Sequence, residues 1–227
     1  MNLSLIGRHA LVCGASQGIG LAAAHELAGL GARVTLFARN EESLKSALAT
    51  LPEVSSGSHD YAVADFSNSE NVEKVAQSLI KNHDFDILIN NSGGPAGGPI
   101  SEADASAFIA TFEQHLICNH KLAQVLLPGM RERCFGRIIN VISTSVKAPL
   151  NNLGVSNTIR GAVANWAKTL ANEEGKYGIR VNNVLPGATS TSRLQGIIEA
   201  KATKSGKSIE EVKNAMIGAV PARRFGE

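Results

Sequence analysis

Hydrophobic and polar positions along this chain fall into blocks of changing period, and those blocks lay out its elements. Short apolar runs at 9–13, 33–38, 59–64, 85–89, 136–142 and 179–185 read as strands, with 33–38 and 85–89 buried. Between them, apolar residues return every three or four positions, the spacing of a helix with one inward stripe. This predicts helices over 19–30, 41–50, 68–81, 103–133 and 152–174. Val72, Val75, Ala76 and Leu79 form one such stripe, and Val155, Ile159, Ala162, Val163, Trp166 and Leu170 form another. Glu41 and Glu42 open their helix where the positive dipole end favours acids. Pro128 is expected to bend or end the long helix 103–133. Residues 52–58 read as a turn-rich connection, and Pro186-Gly187 breaks the last strand. Beyond it the chain is polar, with two weak helical patterns. Strand–helix alternation repeated six times predicts an α/β fold. Its form is a Rossmann-type doubly wound parallel sheet in three layers, as a single domain over 1–227.

Composition narrows the function classes. The 227 residues suit one domain, and 44% hydrophobic content supplies a core. A net charge of +2 gives no electrostatic case for nucleic acid or an anionic membrane. Cys13, Cys118 and Cys134 have no metal-ligand spacing and no even disulfide framework, which points to free, mostly buried thiols in a reducing compartment. Residues 1–5 show no signal-peptide pattern, and no apolar run is long enough to span a bilayer. The expected location is cytoplasmic, and no metal site is expected.

Candidate chemistry centres on Cys13-Gly14-Ala15-Ser16-Gln17-Gly18-Ile19-Gly20, between the first strand and the first helix. Glycines there allow a tight turn and close approach of a pyrophosphate, toward which the helix aims its free N–H groups. In such a fold the second strand ends beside the adenosine ribose, where a carboxylate binds a free 2′-hydroxyl and an arginine suits a 2′-phosphate. Neutral Ala38 and basic Arg39 therefore favour NADP over NAD, unless Arg39 is only a solvated loop arginine. The fourth strand runs into Asn90-Asn91-Ser92-Gly93-Gly94-Pro95-Ala96-Gly97-Gly98-Pro99, a loop at a strand's C-terminal end, where doubly wound sheets bind ligands. It either widens a ligand site or simply connects strand to helix.

With these pieces in place, the chain resembles the short-chain dehydrogenase/reductase family over nearly its whole length, close to its 3-oxoacyl carrier-protein reductase branch. Residues 13–20 resemble the family's Thr-Gly-x-x-x-Gly-x-Gly, with Cys13 where threonine is usual. Asn90-Asn91-Ser92-Gly93 resembles its Asn-Asn-Ala-Gly, and 181–187 its segment flanking the nicotinamide. The resemblance implies cofactor contacts at Gly14, Ser16, Gln17, Gly18, Ile19 and Gly20. It adds Arg39, Asp65 and Phe66 toward the adenosine, then Asn91, Gly93, Arg160, Pro186, Gly187 and Thr191. It also implies a substrate lid over about 190–218, partly mobile by its Lys- and Ser-rich composition.

The implied catalytic set departs from the family. Its pattern is a serine after the fifth strand, a tyrosine thirteen on and a lysine four beyond. Here Ser143 fits, but Ser156 and Arg160 stand at the other two places, and His115 stands where an asparagine is expected. Asn119 lies one turn from that place. A phenol titrates near pKa 10 and a neighbouring ammonium lowers it further, whereas an aliphatic hydroxyl is a far weaker acid. Arg160 stays charged and could hold ribose hydroxyls, but its planar fork is not equivalent to lysine. Tyrosine-driven carbonyl reduction is therefore expected to be absent. His115 is a competent proton carrier, or a packed histidine; Ser143 orients a carbonyl, or caps the next turn. Asn152 adds a polar contact, or only starts its helix.

Three functions stay open. The first is an NADP(H)-binding oxidoreductase with a rearranged acid–base site, acting on an unidentified carbonyl or hydroxyl compound, of which a 3-oxoacyl type is one candidate. The second is a catalytically inactive nucleotide-binding regulator or partner subunit. The third is a structural domain without cofactor. The resemblance implies homodimers or homotetramers through helices 103–133 and 152–174. Near Glu227 family members begin another helix and a last strand, so either the sequence is trimmed or the sheet has one strand fewer.

Overall fold

The computed structural model describes residues 2–55 and 57–227. Met1, in the 1–5 stretch, and Ser56, in the expected turn 52–58, lie outside the described residues. Six parallel strands form one sheet: β1 (His9–Cys13), β2 (Arg33–Ala38), β3 (Asp60–Val63), β4 (Ile87–Asn90), β5 (Gly136–Val141) and β6 (Ile179–Val184). Their order is β3-β2-β1-β4-β5-β6, the doubly wound topology that the strand–helix alternation predicts. The reversal between β1 and β4 opens a crevice at their C-terminal ends.

Side-chain alternation divides the core between the two faces of the sheet. Leu11 and Cys13 of β1 pack with Val72, Ala76, Leu122, Leu126 and Ala167. Ala10 and Val12 of the same strand pack on the other face with Ala24, Ala28, Leu44 and Ala47. The first group brings in helices α3 (Ser69–Leu79), α5 (Cys118–Glu132) and α6 (Gly154–Glu174). The second brings in α1 (Gly18–Gly29) and α2 (Glu41–Leu48). The central strands β1 and β4 are buried throughout. Edge strand β6 exposes Arg180, Asn182 and Val184 on alternate positions.

The single helix expected over 103–133 is three pieces. After a 3₁₀ turn at Ile100–Glu102 come α4 (Ala105–Phe112), a π turn at Glu113–Ile117, and α5. The deviation comes at the π turn. Pro128 does not end the helix, which runs on through it to Glu132. A proline costs an interior helix one hydrogen bond, and here the apolar side chains Leu122, Leu126, Leu127 and Met130 bury that helix firmly enough to carry it. The helix expected from 152 starts at Gly154. Asn152 sits two residues before it, in the left-handed region at φ 63°, so it is not the residue that caps it.

The chain divides into two compact units at Leu185/Pro186. The second forms a helical pair, α7 (Ser192–Ser205) and α8 (Ile209–Gly218), where the sequence shows only weak patterns. Thr191 caps α7 by accepting from the Leu194 N–H, and Ser208 with Glu211 makes a reciprocal capping box on α8. Leu194, Ile198, Ala202 and Val212 form a small core of its own, joined by Met216 and Phe225. Backbone hydrogen bonds from Ser190 N to Gly226 O and from Gly226 N to Ala188 O bring the ends of this unit together.

Candidate active site

Parallel register places the ends of β1, β2, β3 and β4 along one edge. At the β1 end, Gly14 takes φ +58° and its N–H donates to Phe37 O at 2.8 Å. Gly18 also takes φ +58°. A left-handed backbone costs about 1–2 kcal/mol for any residue with a Cβ. Space is the second constraint. A Cβ on Gly14 would stand 2.7 Å from the Asn91 side-chain nitrogen and carbonyl oxygen, and one on Gly20 would press on Gly14 O. Asn91 draws these parts together: its Nδ2 donates to Cys13 O at 3.3 Å and Gly14 O at 3.2 Å. The β4 loop is thereby tied to the glycine turn, and α1 begins at Gly18 with its N-terminus at that turn.

Arg39 follows β2 in an exposed position, and its charge helps hold the Asp65 carboxyl below its usual range. The larger cause is the hydrogen bond that Asp65 Oδ1 accepts from Ser67 N. Phe66 faces inward: its ring packs edge-on against Phe37 in the core, which leaves only its backbone at the rim. The Cys13 thiol is fully buried, and burial pushes its pKa up strongly. Burial pushes Cys118 up to about 12, and its Sγ donates to Phe66 O. Both thiols are inert core groups. Cys134, by contrast, is exposed.

Across the crevice stand the residues expected to do acid–base work. Ser143 Oγ accepts from Ser145 N at 3.1 Å and caps a 3₁₀ turn, Thr144–Val146. Ser156 lies in the first turn of α6, where its Oγ accepts from Arg160 Nε at 3.3 Å. Arg160 Nη1 donates to Val141 O and Ile142 O, each at 3.0 Å. The guanidinium thus links the end of β5 to α6. His115 lies in the π turn, 5% exposed, with Nδ1 3.0 Å from Ser92 Oγ. Sequence reasoning named His115 but not Ser92, whose hydroxyl joins that histidine to the loop after β4.

A small cavity of about 10 Å³, room for a single water, lies between Asn90, Ser92, His115, Asn119 and Arg160. A second polar feature adjoins it. Asn90, Asn140 and Asn183 are register partners on β4, β5 and β6. Asn90 Nδ2 donates to Asn140 Oδ1 at 2.8 Å, and Asn140 Nδ2 to Asn183 Oδ1 at 3.0 Å. This row of amides links β4, β5 and β6 side by side, and only the pairing register reveals it. Asn90 is 2% exposed, and its Oδ1 accepts no hydrogen bond among the described residues. A larger groove of about 710 Å³ runs past Pro99, Ile100, Leu150, Asn152 and Asn157, and no charged side chain among the described residues lines it. Pro186, Gly187 and Thr191 belong to the second unit, where Thr191 Oγ1 serves as the α7 cap. Among the described residues no cluster of His, Cys, Asp and Glu could hold a metal ion, and no helix is long and apolar enough to cross a membrane.

Residues 8–202 match the model of the short chain dehydrogenase family. The chain belongs to that family. Among its relatives, a 3-oxoacyl acyl-carrier-protein reductase of Haemophilus influenzae is 31% identical over 225 residues, 97% of this chain and 86% of that protein. The L-sorbose reductase of Gluconobacter frateurii, solved with NADPH and L-sorbose, superposes with a TM-score of 0.91 at 30% identity. That match covers 100% of this chain and 87% of the reductase. A variant of the actinorhodin polyketide ketoreductase solved with NADPH gives a TM-score of 0.88 at 30% identity, covering 97% of this chain and 85% of that one. As a short-chain dehydrogenase, the chain places its glycine turn and its β4 loop on the crevice side of the sheet.

Proposed function

We propose that this short-chain dehydrogenase binds NADP(H) and acts as an oxidoreductase on a small, uncharged carbonyl or hydroxyl compound. The observation that carries the reading is the glycine turn at Gly14 and Gly20, closed by Asn91 so tightly that a Cβ has no place. Such a turn, with a helix N-terminus beyond it, fits a pyrophosphate. Ser16, Gln17, Gly18 and Ile19 line that approach, and Arg39 beside Asp65 suits an adenosine ribose carrying a 2′-phosphate. The NADPH complexes of the L-sorbose reductase and the polyketide ketoreductase support the same choice over NAD. Asn91 and Gly93 extend the seat along the β4 loop.

When bound, the nicotinamide supplies or accepts a hydride. The chain's own residues hold the reacting groups. Ser156 Oγ accepts from Arg160 Nε, so its hydroxyl proton is left to orient a substrate oxygen. Arg160 anchors the end of β5 to α6 and keeps a fixed positive charge at the cavity. Neither group is a proton donor near neutral pH, so reduction here does not run on a phenol–ammonium pair. The uncharged lining of the groove beside α6 favours a neutral substrate. Small-molecule turnover in the cytoplasm, by a homodimer or homotetramer, completes this reading. Ile109 and Phe112 of α4 supply exposed apolar surface for that assembly.

A second reading has its own observation. Ser143 is engaged as a cap and Arg160 as a clamp on backbone carbonyls, roles that serve a catalytically inactive nucleotide-binding regulator equally well. Fluorescence titration with NADPH and with NADH, run beside NADPH oxidation on a panel of neutral ketones, separates the two. Tight NADPH binding with turnover is the expected result. NADPH binding without turnover selects the regulator, and binding of neither nucleotide overturns both.

A further inference from the structure

The oxidoreductase reading leaves the substrate oxygen without a proton source, and the region behind the β4 loop supplies one. We infer that Ser92 and His115 form a proton-relay pair that feeds the crevice, an inference that rests on that reading. Three observations meet there. The Ser92 hydroxyl and His115 Nδ1 lie 3.0 Å apart, across 23 residues of sequence. Ser92 is part-exposed at the crevice while His115 is buried behind it, so the hydroxyl is the imidazole's connection outward. Asn90, 98% buried by its 2% exposure, lines the same cavity and carries an acceptor oxygen with no partner among the described residues. An acceptor of that kind holds a proton-carrying water beside the pair.

The backbone is also shaped for this. His115 sits in the π turn Glu113–Ile117, and its Nδ1 meets the Ser92 hydroxyl just past β4; such turns recur at functional sites. The flanking helices are ordinary α-helix.

The proton balance is simple. During reduction the carbonyl carbon gains a C–H bond from the hydride of a bound reduced nicotinamide. Its oxygen gains the proton that leaves Ser92 Oγ through the cavity, and Ser92 takes the Nδ1 proton of the imidazolium in return. His115 is left neutral and regains a proton from water. Alcohol and oxidised nicotinamide are the products, with one proton consumed. An imidazole exchanges protons near neutrality, whereas the hydroxyls of Ser143 and Ser156 do not. The charged groups around the pair are few. Arg160 of α6 lines the cavity, Glu113 shares the π turn, α5 continues from the turn with His120 and Lys121, and α3, which carries Glu70, Glu73 and Lys74, packs on it. The facing residues of β4 and β5, Asn90 and Val141, are uncharged.

The test follows NADPH oxidation with a neutral β-keto ester from pH 5 to 9, in the full chain and in Ser92→Ala, Ser92→Thr and His115→Phe. NADPH affinity, read by fluorescence, checks that each variant folds and binds. The expected result is about a 100-fold loss of kcat in Ser92→Ala and His115→Phe, with KM and NADPH affinity within about twofold. The fall of rate toward high pH should disappear in His115→Phe, and Ser92→Thr should recover most of the rate, because threonine keeps the hydroxyl. A wild-type rate and pH profile in both Ser92→Ala and His115→Phe overturns the relay and leaves the oxidoreductase reading standing. Wild type that binds NADPH yet turns over nothing overturns both.

Discussion

The two sides of the crevice are built on opposite principles. On the β1–β4 side, shape is set by the absence of side chains. Gly14 and Gly20 let backbone meet backbone where no Cβ would fit, and Asn91 spends its amide donors on Cys13 O and Gly14 O to hold the turn closed. On the β5–α6 side, shape is set by polar side chains that bind backbone. Ser143 caps a turn, and Arg160 reaches Val141 O and Ile142 O. The first side tolerates almost no substitution, because close contact to backbone cannot relax cheaply. The second exchanges residue types more freely, because a hydroxyl or guanidinium there does structural work that other donors can share. A serine and an arginine at 156 and 160 are therefore compatible with an intact fold, whatever they do to the chemistry.

The largest expected effect comes from the opposite, N-terminal end of the strands, and it fixes the pH range for comparing the two sides. His9 is buried against Phe85 with Nε2 2.9 Å from Thr35 Oγ1. Burial first, then the Arg33 charge, lowers its pKa from 6.5 to about 3. The unfolded chain binds this proton near pH 6.5 and the folded chain only near pH 3. Its contribution is therefore complete above pH 6.5 and is lost as pH falls toward 3, on the order of 5 kcal/mol in all. Urea unfolding at pH 7, 5 and 4 should show this loss, and His9→Gln should flatten it.

The next effect breaks the glycine side. Gly14→Ala combines a left-handed backbone with a contact on Asn91, at a cost of about 2–4 kcal/mol. NADPH affinity should fall at least about 100-fold, as titration of the purified variant will read. Retained affinity would show that the turn relaxes and that its tightness is not what binds.

Arg160→Ala probes the other side. It removes two hydrogen bonds to backbone carbonyls and one to Ser156, for about 1–3 kcal/mol of stability. If the clamp is its main task, NADPH affinity changes less than about threefold. A far larger loss would reassign Arg160 to the nucleotide. The smallest and most selective effect belongs to Arg39→Ala. NADPH affinity should weaken about tenfold, near 1.4 kcal/mol, with NADH affinity and unfolding midpoint unchanged. Equal weakening of both nucleotides would remove the 2′-phosphate role.

The architecture was largely legible beforehand, and the reason is periodicity. Runs such as 33–38 and 85–89 suit only buried strands, and the stripes beginning at Val72 and Val155 suit only helices against a sheet. Boundaries moved by a residue or two, as frayed ends do. The π turn escaped notice because one extra residue inside a long helical pattern shifts the stripe too little to see. The α7–α8 pair was faint because its core is four residues deep, and its caps at Thr191 and Ser208 are single polar residues in a polar stretch.

The candidate site was legible as a set of residue types and not as a set of partners. Ser143, Ser156, Arg160 and His115 stand out in the sequence, yet nothing in it says that Arg160 turns to the β5 carbonyls or that His115 meets Ser92. Asn140 and Asn183 gave no signal, because their amides join only through strands some fifty and forty residues apart.

The sequence by itself determined the alternation of strand and helix, the need for glycine at the first turn, and the family. Each of these follows from local period, local backbone freedom and motif order. Tertiary structure alone decided which hydroxyl caps a turn, which guanidinium clamps a strand and which imidazole meets the loop after β4. Those outcomes depend on hydrogen-bond partners brought within about 3 Å by folding, and a partner distant in the chain leaves no trace in the residues beside it.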